Sequence, residues 1–246
     1  MSDSRPQTGA RHEAQYDAFA AEYAAASATS PYNALYDRPA VLALAGDVAG
    51  LRVLEVGAAA GHLTEALADR GASVLATDLS TALLELARRR VGDRAEYRVA
   101  DAALPYDFVP DASVDLVVAS LVMHYLRAWG PTLREFHRVL APGGRLVMST
   151  HHPTMDWLST PRRESYFATR AITEQWKFGD RLRPVTFYRR PLRAIFGALR
   201  EAGFVVDVLE EPMPVEECRT HDPKAYERLT TSPRFLYLVA SRPPAS

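Results

Sequence analysis

Residues 53–64 read Val53-Leu-Glu-Val-Gly57-Ala-Ala-Ala-Gly61-His-Leu-Thr64, and this stretch decides the fold. It begins as a short apolar run around one acidic residue and continues as the start of an amphipathic segment. Gly57 allows a sharp turn between the two parts, and Gly61 allows the backbone to come close to a ligand. The stretch therefore predicts a buried strand, a glycine turn and a helix. A turn of this kind also occurs as a plain strand–helix connection, so it does not identify a ligand site by itself.

Short apolar runs recur along the rest of the chain and alternate with segments of helical periodicity. This alternation predicts an α/β fold with a doubly wound, mostly parallel seven-stranded sheet. The predicted strands are Leu51–Val56, Val74–Thr77, Ala95–Ala100, Val114–Ala119, Arg145–Thr150, Phe204–Leu209 and Phe235–Ala240.

The length of 246 residues fits one α/β domain with a modest elaboration. We expect residues 1–11 to be disordered and residues 12–246 to form a single domain. Within it, residues 12–46 have the pattern of two helices and are predicted to cap the sheet. Residues 153–190 break the alternation, are rich in aromatic residues and arginines, and are predicted to form a lid or acceptor pocket after the fifth strand.

Composition narrows the class of function. The formal net charge is −1, and the arginine clusters form no continuous stripe, which argues against a nucleic acid or an anionic membrane as partner. The one cysteine, Cys218, cannot form an internal disulfide, and no Cys/His spacing indicates a metal site. No apolar signal or membrane span is evident, so we expect a cytoplasmic protein, monomeric or homodimeric.

Acidic residues follow successive predicted strands. Glu55 lies at the tip of the first, Asp78 ends the second, and Asp101 ends the third, while Pro142-Gly143-Gly144 introduces the fifth. A carboxylate at the second position can accept hydrogen bonds from both hydroxyls of a ribose. Any one of these residues could simply cap the next helix. Their occurrence in order, at the edge where open α/β sheets bind ligands, favours a nucleoside-containing cofactor.

With these motifs the chain resembles the class I S-adenosylmethionine-dependent methyltransferases, in particular the small-molecule group related to ubiquinone and menaquinone biosynthesis. The resemblance runs from about Tyr16 to Ala240, and its specific part lies between Val53 and Ser149. It implies transfer of a methyl group from S-adenosylmethionine to an oxygen, nitrogen or carbon atom of a small molecule, a secondary metabolite among the candidates. The product of the cofactor would be S-adenosylhomocysteine.

The resemblance also implies roles for individual residues. Tyr23, Glu55, Gly57 and Gly61 would surround the methionine part of the cofactor, and Ser120 would lie near its sulfonium. The ribose and adenine would be held by Asp78, Leu79, Asp101 and Ala102. Ala58-Ala59-Ala60 departs from the family, in which another glycine is common in this loop. The extra methyl groups leave less room, and we expect cofactor binding to survive the change.

Three alternatives were weighed against this interpretation. A nicotinamide-binding domain normally requires G-x-G-x-x-G, whereas here Gly57 and Gly61 are separated by three residues, and Glu55 would face a pyrophosphate unfavourably. The others are an S-adenosylmethionine-binding protein that transfers no methyl group, and an enzyme that uses the cofactor for other chemistry such as a cyclisation. Only turnover assays would distinguish these two from a methyltransferase.

The residues that meet the acceptor are less determined by sequence. His151 and His152 follow the fifth strand, and Pro153 biases His152 toward an extended backbone, so His152, helped by His151, is the candidate general base. The acceptor pocket is predicted to include His124, Tyr125, Trp157, Trp176 and Tyr188. Each of these could instead serve packing alone. The stretch after the fourth strand, Ser120-Leu-Val-Met, lacks the Asn/Asp-Pro-Pro-aromatic motif of enzymes that methylate a flipped base.

Overall fold

The computed structural model describes residues 17–160, 164–178 and 180–244. It contains a seven-stranded sheet in the order β3-β2-β1-β4-β5-β9-β8, in which only β9 runs antiparallel to its neighbours. The sheet strands are β1 (Arg52–Val56), β2 (Ser73–Asp78), β3 (Ala95–Val99), β4 (Val114–Ala119), β5 (Leu140–His151), β8 (Val205–Glu210) and β9 (Phe235–Ser241). The seven predicted strands and the doubly wound class are therefore confirmed. The predicted disorder of residues 1–11 lies outside the described residues.

Helices cover both faces of this sheet. They are α1 (Ala20–Thr29), α2 (Arg38–Ala45), α3 (His62–Asp69), α4 (Thr81–Val91), α5 (Gly130–Val139), α6 (Pro153–Ser159), α7 (Leu192–Glu201), α8 (Glu217–His221) and α9 (Pro223–Thr231). A π-helical turn, Asn33–Asp37, runs directly into α2. No described helix is long and apolar enough to cross a membrane.

The sheet separates two hydrophobic cores. Successive side chains of a strand point to opposite faces of the sheet, so adjacent residues of one strand belong to different cores. In β1, Leu54 packs with α5 and α7 through residues such as Phe136, whereas Val53 packs with α2 and α3 through residues such as Leu67. Because β4 is buried on both faces, it reads as an almost continuous apolar run, as parallel strands do. This burial fixes the carboxyl edge of β1–β4 as a rigid platform.

Residues 153–190 form more regular structure than the sequence predicts. After α6, β6 (Arg170–Phe178) and β7 (Arg181–Arg189) pair as an antiparallel hairpin that is separate from the main sheet. The ring of Phe178 at the end of β6 stacks on Phe19 and meets Tyr23 edge-on. The hairpin therefore packs against the N-terminal segment beside the carboxyl edge of the sheet.

Candidate functional site

A cavity of about 380 Å³ lies at the carboxyl edge of the parallel strands. Its walls come from the loops after β1, β2, β3 and β4 and from the segment that contains α1 and the π-helical turn. Most of the residues that the sequence assigns to the cofactor lie in these walls, together with one assigned to the acceptor: Tyr23, Glu55, Gly57, Asp78, Leu79, Asp101, Ala102, Ser120 and Tyr125.

Glu55 is the buried acid at the end of β1, with 2% of its surface exposed. Its carboxylate accepts a hydrogen bond of 2.6 Å from the hydroxyl of Thr64 on α3. Burial raises the pKa of Glu55 to about 8, against the opposing effects of Thr64 and of the positive charge of Arg38. A cationic group bound beside it would restore the charged form, so the site fits an ammonium ligand.

Asp78 organises the loop that follows β1. One carboxylate oxygen accepts a hydrogen bond of 2.8 Å from the N–H of Ala59, and the other accepts one of 2.9 Å from the N–H of Ser80. Ala59 adopts a left-handed backbone with φ of 49°, which is the conformation that a glycine would supply freely. The loop therefore forms despite its three alanines, with Asp78 holding the strained residue in place.

The two glycines of the loop have different surroundings. Gly57 lies in the cavity wall with φ of 78°, and a Cβ there would lie 2.9 Å from Val122. Gly61 does not border the cavity. A Cβ on Gly61 would lie 2.8 Å from the Cα and Cβ of Ala87, so its lack of a side chain serves the close approach of α3 to α4.

Asp101 and Ala102 occupy the loop after β3, at the far end of the cavity from Tyr125. The carboxylate of Asp101 accepts a hydrogen bond of 2.8 Å from the N–H of Ala103. The carbonyl of Ala102 accepts one of 2.7 Å from the hydroxyl of Thr132 on α5. These contacts fix the loop and leave the second oxygen of Asp101 available to a ligand.

Sequence reasoning missed three charged residues of the cavity wall, Asp37, Arg38 and Arg127. Asp37 ends the π-helical turn, is 3% exposed and accepts a hydrogen bond of 2.5 Å from the hydroxyl of Ser120. Arg38 begins α2, and its guanidinium donates to the carbonyl of Ser27 at 3.3 Å. A signal was present, because two adjacent charges interrupt an otherwise apolar helical pattern.

Tyr23 and Tyr125 connect the cavity with the hairpin. Both border the cavity, and both pack against the cluster formed by Phe19, Phe178 and Val185. Burial raises the pKa of Tyr23, and the negative charges of Asp78 and Asp37 add to that effect. The tyrosine therefore stays protonated at any physiological pH.

The three histidines assigned to the acceptor side, His124, His151 and His152, lie next to this region and not in the cavity wall. His124 is buried and stacks on His151 with ring centroids 4.0 Å apart. The Nδ1 atom of His151 lies 3.6 Å from the carboxylate of Asp156. His152 has the extended backbone expected before Pro153, but its Nε2 atom lies 2.9 Å from a carboxylate oxygen of Glu211. Burial lowers the pKa of His152 and Glu211 opposes that shift.

The three remaining aromatic residues assigned to the acceptor lie outside the cavity wall. The indole of Trp157 donates to the carbonyl of Glu164 at 2.7 Å, and that of Trp176 to the carboxylate of Glu174 at 3.0 Å. Trp176 also lies near Phe178, with ring centroids 6.4 Å apart. Tyr188 is a partly buried residue of β7 paired with Ala171. Only Trp176 belongs to the cluster that reaches the cavity.

Comparison with known proteins places this geometry in context. Residues 54–148 match the sequence family described as a methyltransferase domain. An uncharacterized protein from Haemophilus influenzae is 24% identical over 238 residues, which are 85% of this chain and 88% of that protein. A demethylmenaquinone methyltransferase from Clavibacter sepedonicus is 43% identical over 104 residues. This match covers 41% of each protein, so it spans less than half of that enzyme's length.

Among solved structures, an S-adenosylmethionine-dependent methyltransferase from Mesorhizobium loti superposes with a TM-score of 0.68 and 26% identity. The superposition covers 88% of this chain and 100% of that one. The similarity therefore extends over most of the fold.

Proposed function

Because the chain belongs to the class I S-adenosylmethionine-dependent methyltransferases, we propose that it transfers the methyl group of this cofactor to a small-molecule acceptor. The observation that carries the proposal is the series of carboxylates Asp101, Asp78 and Glu55 along one cavity, at the ends of the adjacent strands β3, β2 and β1. Their order matches that of adenine, ribose and amino acid in the cofactor. When bound, S-adenosylmethionine supplies an electrophilic methyl group on a sulfonium.

The charges of the cavity support this assignment of the cofactor's parts. Glu55 would hold the ammonium of the methionine part, because its burial leaves the carboxylate in need of a cation. Arg38 makes no ion pair within 4 Å among the described residues, so its guanidinium is available to the cofactor's carboxylate. Asp78 retains acceptor capacity on both oxygens for the ribose hydroxyls, with Leu79 beside it. The adenine would lie against Asp101 and Ala102.

We place the acceptor at the other end of the cavity, between Tyr125 and the hairpin. Tyr125 supports this most directly because it borders both the cavity and the aromatic cluster around Phe178. Trp176 closes that cluster, and His124 adjoins Tyr125 with ring centroids 4.2 Å apart. The protein's main contribution there would be to exclude water and hold the nucleophile in line with the methyl group.

The proposal is tested first by ligand binding and then by turnover. Calorimetry should detect S-adenosylhomocysteine at micromolar dissociation constants and no comparable binding of NAD. Incubation with S-adenosylmethionine labelled in its methyl group should transfer the label to members of a small-molecule library. Binding of NAD without binding of S-adenosylhomocysteine would refute the cofactor assignment. Tight binding of S-adenosylhomocysteine without transfer to any acceptor would favour a protein that binds the cofactor for another purpose.

A further inference from the structure

The carboxylate of Asp37 is the one buried acid of the cavity wall that the cofactor assignment leaves without a role. One of its oxygens, Oδ2, accepts the hydrogen bond from Ser120. The other, Oδ1, is buried and no described donor meets it with good hydrogen-bond geometry, although the hydroxyls of Ser149 and Tyr237 lie near the carboxylate. A buried carboxylate oxygen without a well-placed donor is costly, so such an atom indicates room for a ligand that supplies one.

The order of strands locates Asp37 relative to the cofactor. The series from Asp101 to Glu55 crosses β3, β2 and β1, and the next strand in the sheet is β4. Ser120 follows β4 and holds Asp37, while the hydroxyl of Ser149 on β5 also faces the Asp37 carboxylate. With the cofactor held as proposed, Asp37 would lie past its methionine end, on the side away from the adenine. We place the approach of the acceptor on this side.

The loop beneath Asp37 is held in a strained conformation. Leu121 directly follows Ser120 and has φ of 48°, in the region that non-glycine residues rarely adopt. Its N–H donates to the hydroxyl of Ser149 at 3.0 Å. Strain that the surroundings maintain in this way is common where side chains must be aimed at a ligand. Here it presents Ser120 to Asp37 and fixes the direction of the carboxylate.

The charges around Asp37 agree with a role as proton acceptor. No Lys, Arg or His of the described chain lies within ion-pair distance of it. Burial raises the pKa of Asp37, and the hydroxyls of Ser120, Ser149 and Tyr237 together with the charge of Arg38 limit the increase. An unpaired carboxylate of elevated pKa is a stronger base than an exposed one.

We propose that Asp37 accepts the proton of the acceptor's nucleophilic O–H or N–H group during methyl transfer. This inference rests on the proposed function and narrows its substrate class to alcohols, phenols and amines. A lone pair of the acceptor oxygen or nitrogen forms the bond to the methyl carbon, and the pair of the broken carbon–sulfur bond remains on sulfur. The proton of the acceptor moves to Oδ1 of Asp37 and leaves later to water. Ser120 is a positioning residue, since it acts through Asp37.

The test compares two cofactor analogues, S-adenosylhomocysteine and sinefungin. Sinefungin carries a primary amine, protonated near neutral pH, where the cofactor carries its methyl group, so its affinity reports whether a carboxylate faces the position of that methyl group. Wild-type protein should bind sinefungin more tightly than S-adenosylhomocysteine. Asp37→Asn keeps the shape and an acceptor for Ser120, and should weaken sinefungin binding about tenfold to a hundredfold while S-adenosylhomocysteine stays within about threefold. Because the two analogues share the rest of their structure, their other contacts should change both affinities equally.

Asp115→Asn is the matched control. Asp115 lies at the opposite end of β4, pairs with the exposed Arg52 and is not part of the cavity. Its amide variant should bind both analogues as the wild type does.

Three outcomes separate the possibilities. Equal loss of both analogues in Asp37→Asn would overturn the inference, because it would show a structural role. Equal affinity of the wild type for the two analogues would also overturn it, and this measurement holds even if the variant fails to fold. Failure of the wild type to bind either analogue would refute the proposed function itself. In the labelled library, transfer to oxygen or nitrogen is expected, and transfer to carbon alone would contradict the inference.

Discussion

Replacement of Gly61 with alanine tests whether this glycine serves packing or ligand binding. Gly61 has φ of 79°, and an added Cβ would lie 2.8 Å from the Cα and Cβ of Ala87. Gly143 provides a control, because it has φ of 80° and nothing within 4 Å of an added Cβ. Both changes place an alanine at nearly the same positive φ, so their difference reports mainly the clash between α3 and α4.

The expected magnitudes follow from these two terms. A left-handed conformation costs an alanine about 1–2 kcal/mol, and overpacking a tight contact costs roughly 1–3 kcal/mol more. Gly143→Ala should therefore lower the free energy of unfolding by about 1–2 kcal/mol and Gly61→Ala by about 2–5 kcal/mol, each reduced slightly because alanine restricts the unfolded chain. Urea unfolding followed by circular dichroism, with midpoints compared at unchanged slope, measures the difference.

Two results would refute this reasoning about Gly61. Equal destabilisation in the two variants would show that α3 and α4 do not meet closely at this point. A Gly61→Ala protein of wild-type stability that has lost its affinity for S-adenosylhomocysteine would show that the glycine acts on the ligand, as the sequence alone predicts. The packing interpretation requires the reverse, a loss of stability with binding close to wild type in the folded fraction.

Three further predictions follow from the same contacts. Asp78→Ala should weaken binding of S-adenosylhomocysteine about ten- to a hundredfold, and should lower the free energy of unfolding by about 1–3 kcal/mol because the N–H groups of Ala59 and Ser80 lose their acceptor. An unchanged urea midpoint in Asp78→Ala would contradict the expected loss of stability. Glu55 has a pKa of about 8 in the folded protein, so the folded state holds a proton that the unfolded state releases near its ordinary pKa. The ligand-free protein should therefore lose stability as the pH rises from about 5 to 8, and Glu55→Gln should flatten the trend in urea midpoints. If Glu55→Gln kept the same dependence of stability on pH, other titratable groups would be responsible for it. The sequence predicts that His152→Ala lowers turnover about a hundredfold, whereas the role inferred for Asp37 predicts turnover near wild type in the folded fraction. The contact of His152 with Glu211 predicts a loss of about 1–3 kcal/mol of stability. Glu211→Gln should reproduce the stability loss alone, and unchanged turnover in His152→Ala would remove this histidine as the base.

The sheet could be predicted because each of its strands carries a local signal. Strands buried on both faces are short apolar runs, and the glycines and acids at their ends mark the turns. The hairpin β6–β7 escaped prediction for the opposite reason. One face of each of its strands is exposed, so in β6 the polar residues Gln175 and Lys177 alternate with the aromatic residues Trp176 and Phe178, and the run does not read as apolar.

In the candidate site, too, residues placed by their own strand could be predicted, whereas residues placed by contacts with distant parts of the chain could not. The carboxylates that we propose hold the cofactor lie at or directly after strand ends, so chain position is enough to bring them to one edge. The direction of a side chain after β5 depends on its pairing with β9, and this pairing places His151 beside Phe235. Asp37 joins the site only because the N-terminal segment crosses over β4, a contact between residues 83 positions apart. No periodicity within either segment encodes that contact.

The charge of the cavity explains why these residues are tolerated in a buried site. Glu55, Asp78 and Asp37 are all carboxylates whose pKa is raised by burial, and Arg38 is the cation that opposes the shift for Glu55 and Asp37. Without a ligand, one arginine faces three acids, so protons supply further positive charge and the stability of the protein falls as they leave. S-adenosylmethionine carries two positive groups, an ammonium and a sulfonium, against one carboxylate. With the proposed residue assignments, its binding would replace protons with fixed charges, and the cost of burying three acids would favour the cationic cofactor over its product, which has no net charge.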